Sequence, residues 1–358
     1  MKLKNKKVIY CSIFLVIILL INIKLQNTKS NMPEDYPQSS GNSVVTEEMA
    51  TIDNYGNVMK YKYSIKASTR SKVKNVHLKD LDFSFVENIK IPGMPDTKYD
   101  DFWQKYIFSN AQCPQGMCFT DDFVFITCYS FEDECLGEFM VFDIETGEYL
   151  ITLGMDEDSH LGGIAFDGEN VWVCNSSNKT IERISYDFIH LMAKENKGEV
   201  IDATNLVDVY KVKNIPSCIT YHNGRIWIAT HHKWRTSSMV AYYYNKGKDE
   251  LVPLSTYTIP TQVQGVAFSE TGEIYLSSSY GRRNSSYIRK YDSVIAMTTK
   301  VNEPSVVIEM PPGSEEIDIY NDGLYVIFES AAEKYYEGTD GNGTSVSPLD
   351  KILRISLE

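Results

Sequence analysis

The pattern of hydrophobic and polar positions repeats five times between Cys113 and the C-terminus. Each copy is an apolar strand, a polar tight turn and an aromatic or β-branched strand, which is typical of paired β-strands. The copies are CPQGMCFTDDFVFITC (113–128), HLGGIAFDGENVWVCN (160–175), IPSCITYHNGRIWIAT (215–230), TQVQGVAFSETGEIYLSS (261–278) and SEEIDIYNDGLYVIFE (314–329). A strand-only repeat with a period of about 50 residues predicts the blades of an all-β propeller.

The copy number predicts five blades, each a four-stranded antiparallel meander with its innermost strand first. The second blade carries a helical insertion at residues 187–206. The fifth blade has only three strands before the chain ends, and the alternating residues 81–92 are predicted to supply the fourth and close the ring. Six blades are the alternative, if residues 44–112 form a degenerate blade. Against it, residues 97–110 are predicted to be a short helix or loop.

Residues 1–24 are predicted to be a signal-anchor, a transmembrane helix. Lysines precede an apolar run from Val8 to Ile23, and no small-residue cleavage site follows it. The run is short for a membrane span, but flanking lysines can extend it. Because the N-terminal lysines favour the cytoplasm, we expect a single-pass membrane protein with its C-terminal domain outside the cell. Cleavage of the leader would instead give a secreted protein.

Two segments separate this leader from the propeller, which is assigned to residues 81–358. Residues 25–58 are polar and rich in Pro, Ser, Asn and Gly, so they are predicted to be a flexible tether. Residues 59–80 are basic, and no acid occurs among residues 59–79. This lead-in could contact anionic envelope polymers or lipid headgroups. We favour the alternative, in which it lies as a strand on the acidic body.

The net charge of −13 argues against nucleic acid as a partner, because binding phosphates requires clustered Lys and Arg. An acidic body is compatible with neutral or cationic ligands and with a divalent metal. The 24 tyrosines suit β-sheets, and they would also suit a binding surface.

Polar positions recur where strand one begins and strand two ends, which is the same end of every blade. Their side chains are predicted to surround the mouth of the central channel. The strand-one ring comprises Gln115, Gly162, Ser217, Gln264 and Glu316. The strand-two ring comprises Cys128, Asn175, Thr230, Ser278 and Glu329. A mouth filled with water would also be polar, without any further role.

Candidate chemistry at this mouth is of two kinds. Glu316, Glu329 and His160 are candidate catalytic groups. Oxygens of Gln115, Glu316 and Glu329 could hold calcium. Zinc is disfavoured, because the sequence has no Cys-x-x-Cys or His-x-x-x-His spacing.

The loops joining strands two and three open on the same face, and four of the five carry aromatic residues. Rigid aromatic faces beside hydrogen-bonding groups suit sugar rings or extended peptides, although aromatics can also pin their own loops. The candidate ligand-binding residues are Tyr129, Asn175, His231, Trp234, Arg235, Gln264, Tyr280, Arg282 and Tyr335.

The seven cysteines include two that bracket one hairpin loop, Cys128 and Cys135, which could form a disulfide outside the cell. Cys174 and Cys218 fall in predicted core strands and are expected to be buried. A cysteine nucleophile has little support.

The segments GGIAFDGENVWV and GVAFSETGEIYL resemble repeats of bacterial extracytoplasmic propellers in the NHL, YVTN and gluconolactonase-like superfamily. The resemblance covers about residues 113–358 and implies the fold. In lactonase-type relatives a Glu, Asn and Asp site holds metal; Glu316 and Asn175 match in kind, but an Asp ligand is missing.

We therefore expect a membrane-tethered extracellular module that binds a cell-envelope glycan or peptide. The alternative is a metal-dependent hydrolase or lactonase acting at the channel mouth, so enzymatic activity stays open.

Overall fold

The computed structural model describes residues 51–68, 72–100, 105–131, 135–156 and 159–357, which belong to one compact unit. The predicted signal-anchor and most of the predicted tether lie outside these residues. Within them, no helix combines the length and the apolar character needed to cross a membrane.

The described residues form 24 strands and a few short helices. The strands are β1 (Lys74–His77), β2 (Phe83–Lys90), β3 (Met94–Asp100), β4 (Lys105–Ser109), β5 (Gln112–Phe119), β6 (Phe123–Ser130), β7 (Glu138–Asp143), β8 (Tyr149–Gly154), β9 (Ile164–Phe166), β10 (Asn170–Asn175), β11 (Thr180–Ser185), β12 (Glu199–Asp202), β13 (Asp208–Lys211), β14 (Cys218–His222), β15 (Arg225–Ala229), β16 (Ser237–Asn245), β17 (Glu250–Ile259), β18 (Val263–Phe268), β19 (Ile274–Ser278), β20 (Ser286–Tyr291), β21 (Val306–Met310), β22 (Ser314–Tyr320), β23 (Gly323–Phe328) and β24 (Lys351–Ser356). The helices are α1 (Asn54–Lys60), a 3-10 turn (Leu78–Asp80), α2 (Tyr186–Glu195), α3 (Val294–Thr299) and α4 (Glu333–Tyr336).

Five antiparallel blades follow one another along the chain. Blade 1 is β5–β8, blade 2 is β9, β10, β11 and β13, and blade 3 is β14–β17. Blade 4 is β18–β21, and blade 5 is β22, β23, β24 and β2. The inner strands β5, β9, β14, β18 and β22 contact one another in a closed ring around the channel. The structure therefore confirms a five-bladed β-propeller.

The last blade is closed by an N-terminal strand, as the sequence predicts. Strand β2 pairs antiparallel with β24, with Phe83 opposite Ile355 and Phe85 opposite Leu353. This pairing covers the edge that β24 would otherwise expose. It lies within the predicted residues 81–92, so no sixth blade is needed.

Two blades carry an additional outer strand in parallel pairing. Strand β1, from the basic lead-in, pairs with β21 of blade 4, and β12, from the insertion in blade 2, pairs with β8 of blade 1. The lead-in thus lies on the propeller over β1. Helix α1 begins at Asn54, within the last residues of the predicted tether.

The prediction for residues 97–110 was wrong, because this region contributes to a β-hairpin instead of a helix or loop. Strands β3 and β4 pair antiparallel, with Met94 opposite Ser109. The hairpin is anchored by the buried side chain of Gln112, whose Oε1 accepts hydrogen bonds from the Gly93 and Met94 amides at 3.2 and 2.9 Å.

The hydrophobic core is divided into five clusters, one between each pair of neighbouring blades. Alternation along a strand explains the division, since successive side chains point to opposite faces of a blade. In β6, for example, Phe125 packs toward blade 2, whereas Ile126 packs toward blade 5. The clusters hold the inner strands rigidly around the channel, and this fixes the residues at its mouth.

Candidate functional site

The strand register shifts the predicted rings by one residue in blade 5. Ile317 is opposite Val326, just as Met117 is opposite Ile126 in blade 1. The residue that matches Gln115 is therefore Glu315, and not Glu316, which the sequence pattern predicts for this position. By the same register Phe328, and not Glu329, matches Cys128.

Glu316 lies one level deeper in the channel, among the inner strands. Its side chain is 1% exposed, and its Oε1 accepts hydrogen bonds from the amides of Val266 at 3.0 Å and Ile317 at 3.3 Å. A Cβ atom at position 163 would lie only 2.6 Å from Oε2 of Glu316, so the absence of a side chain at Gly163 makes space for the Glu316 carboxyl group. Burial raises the pKa of Glu316 well above its ordinary value. Glu316 thus joins blades and does not open on the mouth.

Glu315 and Glu329 form a hydrogen-bonded carboxyl pair at the mouth. Glu315 is 3% exposed and its Oε1 accepts from Gln264 Nε2 at 3.0 Å, while Glu329 Oε2 accepts from Gln115 Nε2 at 3.3 Å. Burial, and then the charge of Glu329, raise the pKa of Glu315 well above its ordinary value. Burial also raises the pKa of Glu329. Two carboxyls so placed share one proton.

The loop after β23 places a tyrosine and a lysine over this pair. The hydroxyl of Tyr335 hydrogen-bonds to Glu329, and the ammonium of Lys334 contacts the hydroxyl of Tyr129. The same ammonium lies 4.7 Å from the ring centroids of both Tyr129 and Tyr335. His160, although exposed, packs edge-on against Tyr129 with ring centroids 4.4 Å apart. These residues build one wall of the mouth.

A second wall comes from the loops of blades 3 and 4. Trp234 is 74% exposed, and its ring centroid lies 5.7 Å from that of Tyr280. The ammonium of Lys233 lies over both rings, at 4.7 and 4.3 Å from their centroids. His231 joins this wall to the carboxyl pair, because its side chain hydrogen-bonds to Gln264.

Two predicted ligand-binding residues make structural contacts instead of lining the mouth freely. Arg282 forms an ion pair with Asp340 and donates to the carbonyl of Gly343, which ties the loops of blades 4 and 5 together. Asn175 is 1% exposed and donates to Glu182 at 2.8 Å. Exposed Arg235 donates from Nε to Nε2 of His232 at 2.8 Å.

In the described ranges, no three His, Cys, Asp or Glu side chains are grouped so that they could hold a metal ion. Of the proposed calcium ligands, Gln115 and Glu329 are in contact, whereas Glu316 lies in the channel interior. Calcium binding stays a prediction.

The six described cysteines are buried, and the disulfide between Cys128 and Cys135 is not formed. Cys113 interacts electrostatically with Glu315 and Glu329, and burial raises the pKa of its thiol to about 12. A thiolate nucleophile is therefore disfavoured at this mouth.

Three residues of the mouth were not selected from the sequence: Glu315, Lys233 and Lys334. Glu315 could have been found by keeping both registers of the Glu-Glu pair open. The two lysines lie in the loops that are predicted to bind the ligand, and each is next to a predicted aromatic residue in the sequence. This adjacency is the feature that could have identified them.

No family model and no curated protein matches this chain. Several solved structures are similar in fold. The glutaminyl cyclase of Myxococcus xanthus shares 10% identity at a TM-score of 0.41 and covers 70% of this chain and 94% of its own. A nidogen/laminin complex shares 14% identity at a TM-score of 0.37, and the match covers 61% of this chain and 73% of that one. The hydrazine synthase of Kuenenia stuttgartiensis shares 14% identity at a TM-score of 0.35, and the match covers 60% of this chain and 55% of that one. At these values the likeness concerns the fold alone.

Proposed function

We propose that this protein is a membrane-tethered propeller that binds a cell-envelope glycan at the channel mouth, outside the cytoplasm. The observation that carries the proposal is the exposed Trp234, packed against the half-buried Tyr280, beside a hydrogen-bonding floor of Gln115, Gln264 and Glu315. The tether and the location rest on the leader sequence, and membership of the NHL, YVTN and gluconolactonase-like superfamily is inferred from the repeat.

A glycan fits this mouth better than a peptide does. Aromatic faces stack against the apolar faces of sugar rings with little loss of side-chain entropy. The amides of Gln115 and Gln264 both donate and accept hydrogen bonds, as sugar hydroxyls do. An extended peptide is usually bound by adding a strand to a free sheet edge. The part of the mouth that the structure describes is built from loops and the ends of inner strands, which offer no such edge.

Parallel glycan and peptide arrays test the proposal with the full-length protein. We expect glycan binding by the wild type, and its loss in Trp234→Ala, because the exposed indole supplies the stacking face. Tyr243→Ala is the matched control, since Tyr243 is an aromatic residue 50% exposed on the outer part of blade 3. Binding of peptides alone, or equal glycan binding by Trp234→Ala, would refute the proposal.

The carboxyl pair supports a second candidate function, hydrolysis. Two buried carboxyls that share one proton can serve as acid and base. In one arrangement Glu329, as the carboxylate, would take a proton from the attacking water, and Glu315, as the acid, would protonate the carbonyl oxygen as the new carbon–oxygen bond forms. When the tetrahedral intermediate collapses, Glu315 would take that proton back and Glu329 would donate its proton to the leaving alkoxide, so that the ester carbon–oxygen bond breaks and the pair returns to its starting state. Glycosidases place their carboxyls about 5 Å or more apart, so a hydrogen-bonded pair suits esters or lactones instead.

Turnover of model esters and lactones, measured with and without calcium, tests this candidate. We expect Glu329→Gln to abolish turnover, while Glu303→Gln, remote on the surface of blade 4, retains it. Equal turnover in wild type and Glu329→Gln would exclude the pair as the acid and base. A requirement for calcium would favour the metal-dependent form of the reaction.

A further inference from the structure

The wall formed by blades 3 and 4 carries a group of cations that we term the basic rim: Lys233, Arg235 and Arg283. Lys233 and Arg235 flank Trp234 in the loop between β15 and β16, and Arg283 lies in the loop between β19 and β20. Arg235 and Arg283 are exposed, and Lys233 is half-buried over the rings of Trp234 and Tyr280. The three cations and the two aromatic side chains therefore belong to the same two loops, with Lys233 in direct contact with both rings.

The basic rim is not neutralised by its own protein. Across the described ranges, no carboxylate forms an ion pair within 4.0 Å of any of its three side chains. The neighbouring Arg282 behaves differently, because it pairs with Asp340. Elsewhere, Lys246 pairs with Glu169 at 2.7 Å. The positive charge of the basic rim therefore remains available to a ligand, whereas carboxylates of the protein neutralise Arg282 and Lys246.

This charge is unusual on a chain whose net charge is −13. A local positive surface on an acidic body attracts anions to that surface and orients them, while the remainder of the surface repels them. The planar guanidinium groups of Arg235 and Arg283 can bind carboxylate or phosphate oxygens in pairs. The ammonium of Lys233 adds a compact charge next to the stacking faces of Trp234 and Tyr280.

We propose that the ligand is an anionic glycan, with carboxylate or phosphate groups along a saccharide chain. The inference rests on the proposed function, since it names the class of glycan that the same mouth binds. Sugar rings would stack on Trp234 and Tyr280, and the anionic groups would contact the basic rim. A neutral glycan would leave these cations without a partner.

Affinity electrophoresis of the full-length protein tests this, with polygalacturonate as the anionic probe and neutral galactan as the comparison. We expect Lys233→Gln combined with Arg283→Gln to weaken polygalacturonate binding about tenfold or more. The matched control, Lys248→Gln with Lys300→Gln, removes two exposed charges from other surfaces and should leave binding unchanged. Binding should also weaken as NaCl rises from about 50 to about 200 mM.

Several outcomes would overturn the inference. Galactan binding as tight as polygalacturonate binding, or an unchanged affinity in the double variant, would show that the charge is not recognised. If either of these results were found and Trp234→Ala nevertheless abolished glycan binding, the inference would fail and the proposed function would stand. If Trp234→Ala bound both polymers as wild type, or neither polymer bound to any form, the proposed function itself would fail. Equally tight binding of single-stranded DNA, with the same loss in the double variant, would indicate a nucleic acid surface instead.

Discussion

Glu309 anchors the lead-in segment to blade 4 and offers a direct test of how the propeller is completed. Its carboxylate is fully buried and accepts hydrogen bonds from the Ser64 amide at 2.6 Å and its hydroxyl at 2.7 Å. It also accepts from the Ile65 amide at 2.9 Å and the Ser285 hydroxyl at 2.5 Å. Burial alone would raise the pKa of Glu309, but these hydrogen bonds together lower it.

Glu309→Gln should destabilise the protein by about 3 kcal/mol. The amide retains one acceptor oxygen and turns an NH2 group toward donors, so one or two charge-assisted hydrogen bonds of about 1.5–3 kcal/mol each are lost. For a chain of this size, the melting temperature should fall by about 4–5 °C at neutral pH. Scanning calorimetry measures it, with Glu303→Gln as the control, because that side chain is 57% exposed.

The loss of stability caused by Glu309→Gln should depend on pH. Because folding lowers the pKa of Glu309, its ionised form stabilises the fold fully above the ordinary value of 4.5. That contribution is lost as the pH falls through the lowered pKa of the folded state. The difference between wild type and Glu309→Gln should therefore shrink in acid. Equal melting temperatures at neutral pH, or a difference that widens in acid, would refute this reasoning.

Two further substitutions test the channel and the hairpin. Gly163→Ala should lower the melting temperature by several degrees, because its methyl group would meet Glu316 Oε2 at 2.6 Å and the backbone of Ile219 and Cys218 at 2.8 and 2.9 Å. An unchanged value would mean that these atoms do not fill this space. Glu138 is fully buried, and its pKa is raised by this burial and then by the charge of Asp96. Because the unfolded chain ionises at the ordinary pKa of 4.5, the folded state loses stability as the pH rises above that value. Glu138→Gln should therefore gain stability relative to wild type between about pH 5 and 8 in urea unfolding, and a constant or falling difference would contradict this.

The blades were predictable because each strand carries its own alternation of apolar and polar residues. Closure by β2 was predictable as well, since a three-stranded last blade required a partner. The hairpin of β3 and β4 was not, because its polar sequence has no strand alternation and the buried Gln112 side chain holds it in place. Strand β12 was not predictable either, because it pairs with β8 of the preceding blade and not with a strand of its own blade.

The mouth was predictable as a location, whereas its residues were predictable only in part. In SEEIDIY, two adjacent glutamates fit the same repeat, and only the pairing of Ile317 with Val326 selects Glu315 for the mouth. The carboxyl pair depends on that single-residue register. The contacts of Lys233 and Lys334 with aromatic rings arise between loops, and sequence spacing within one loop cannot specify them.

The most direct test of glycan binding at the mouth is a crystal structure of the protein with trigalacturonate. We predict that a sugar ring stacks on Trp234 and Tyr280, with a carboxylate beside Arg235 or Arg283 and a hydroxyl near Gln264. Trigalacturonate bound only on outer strands of the blades, or at the opposite end of the channel, would contradict the account.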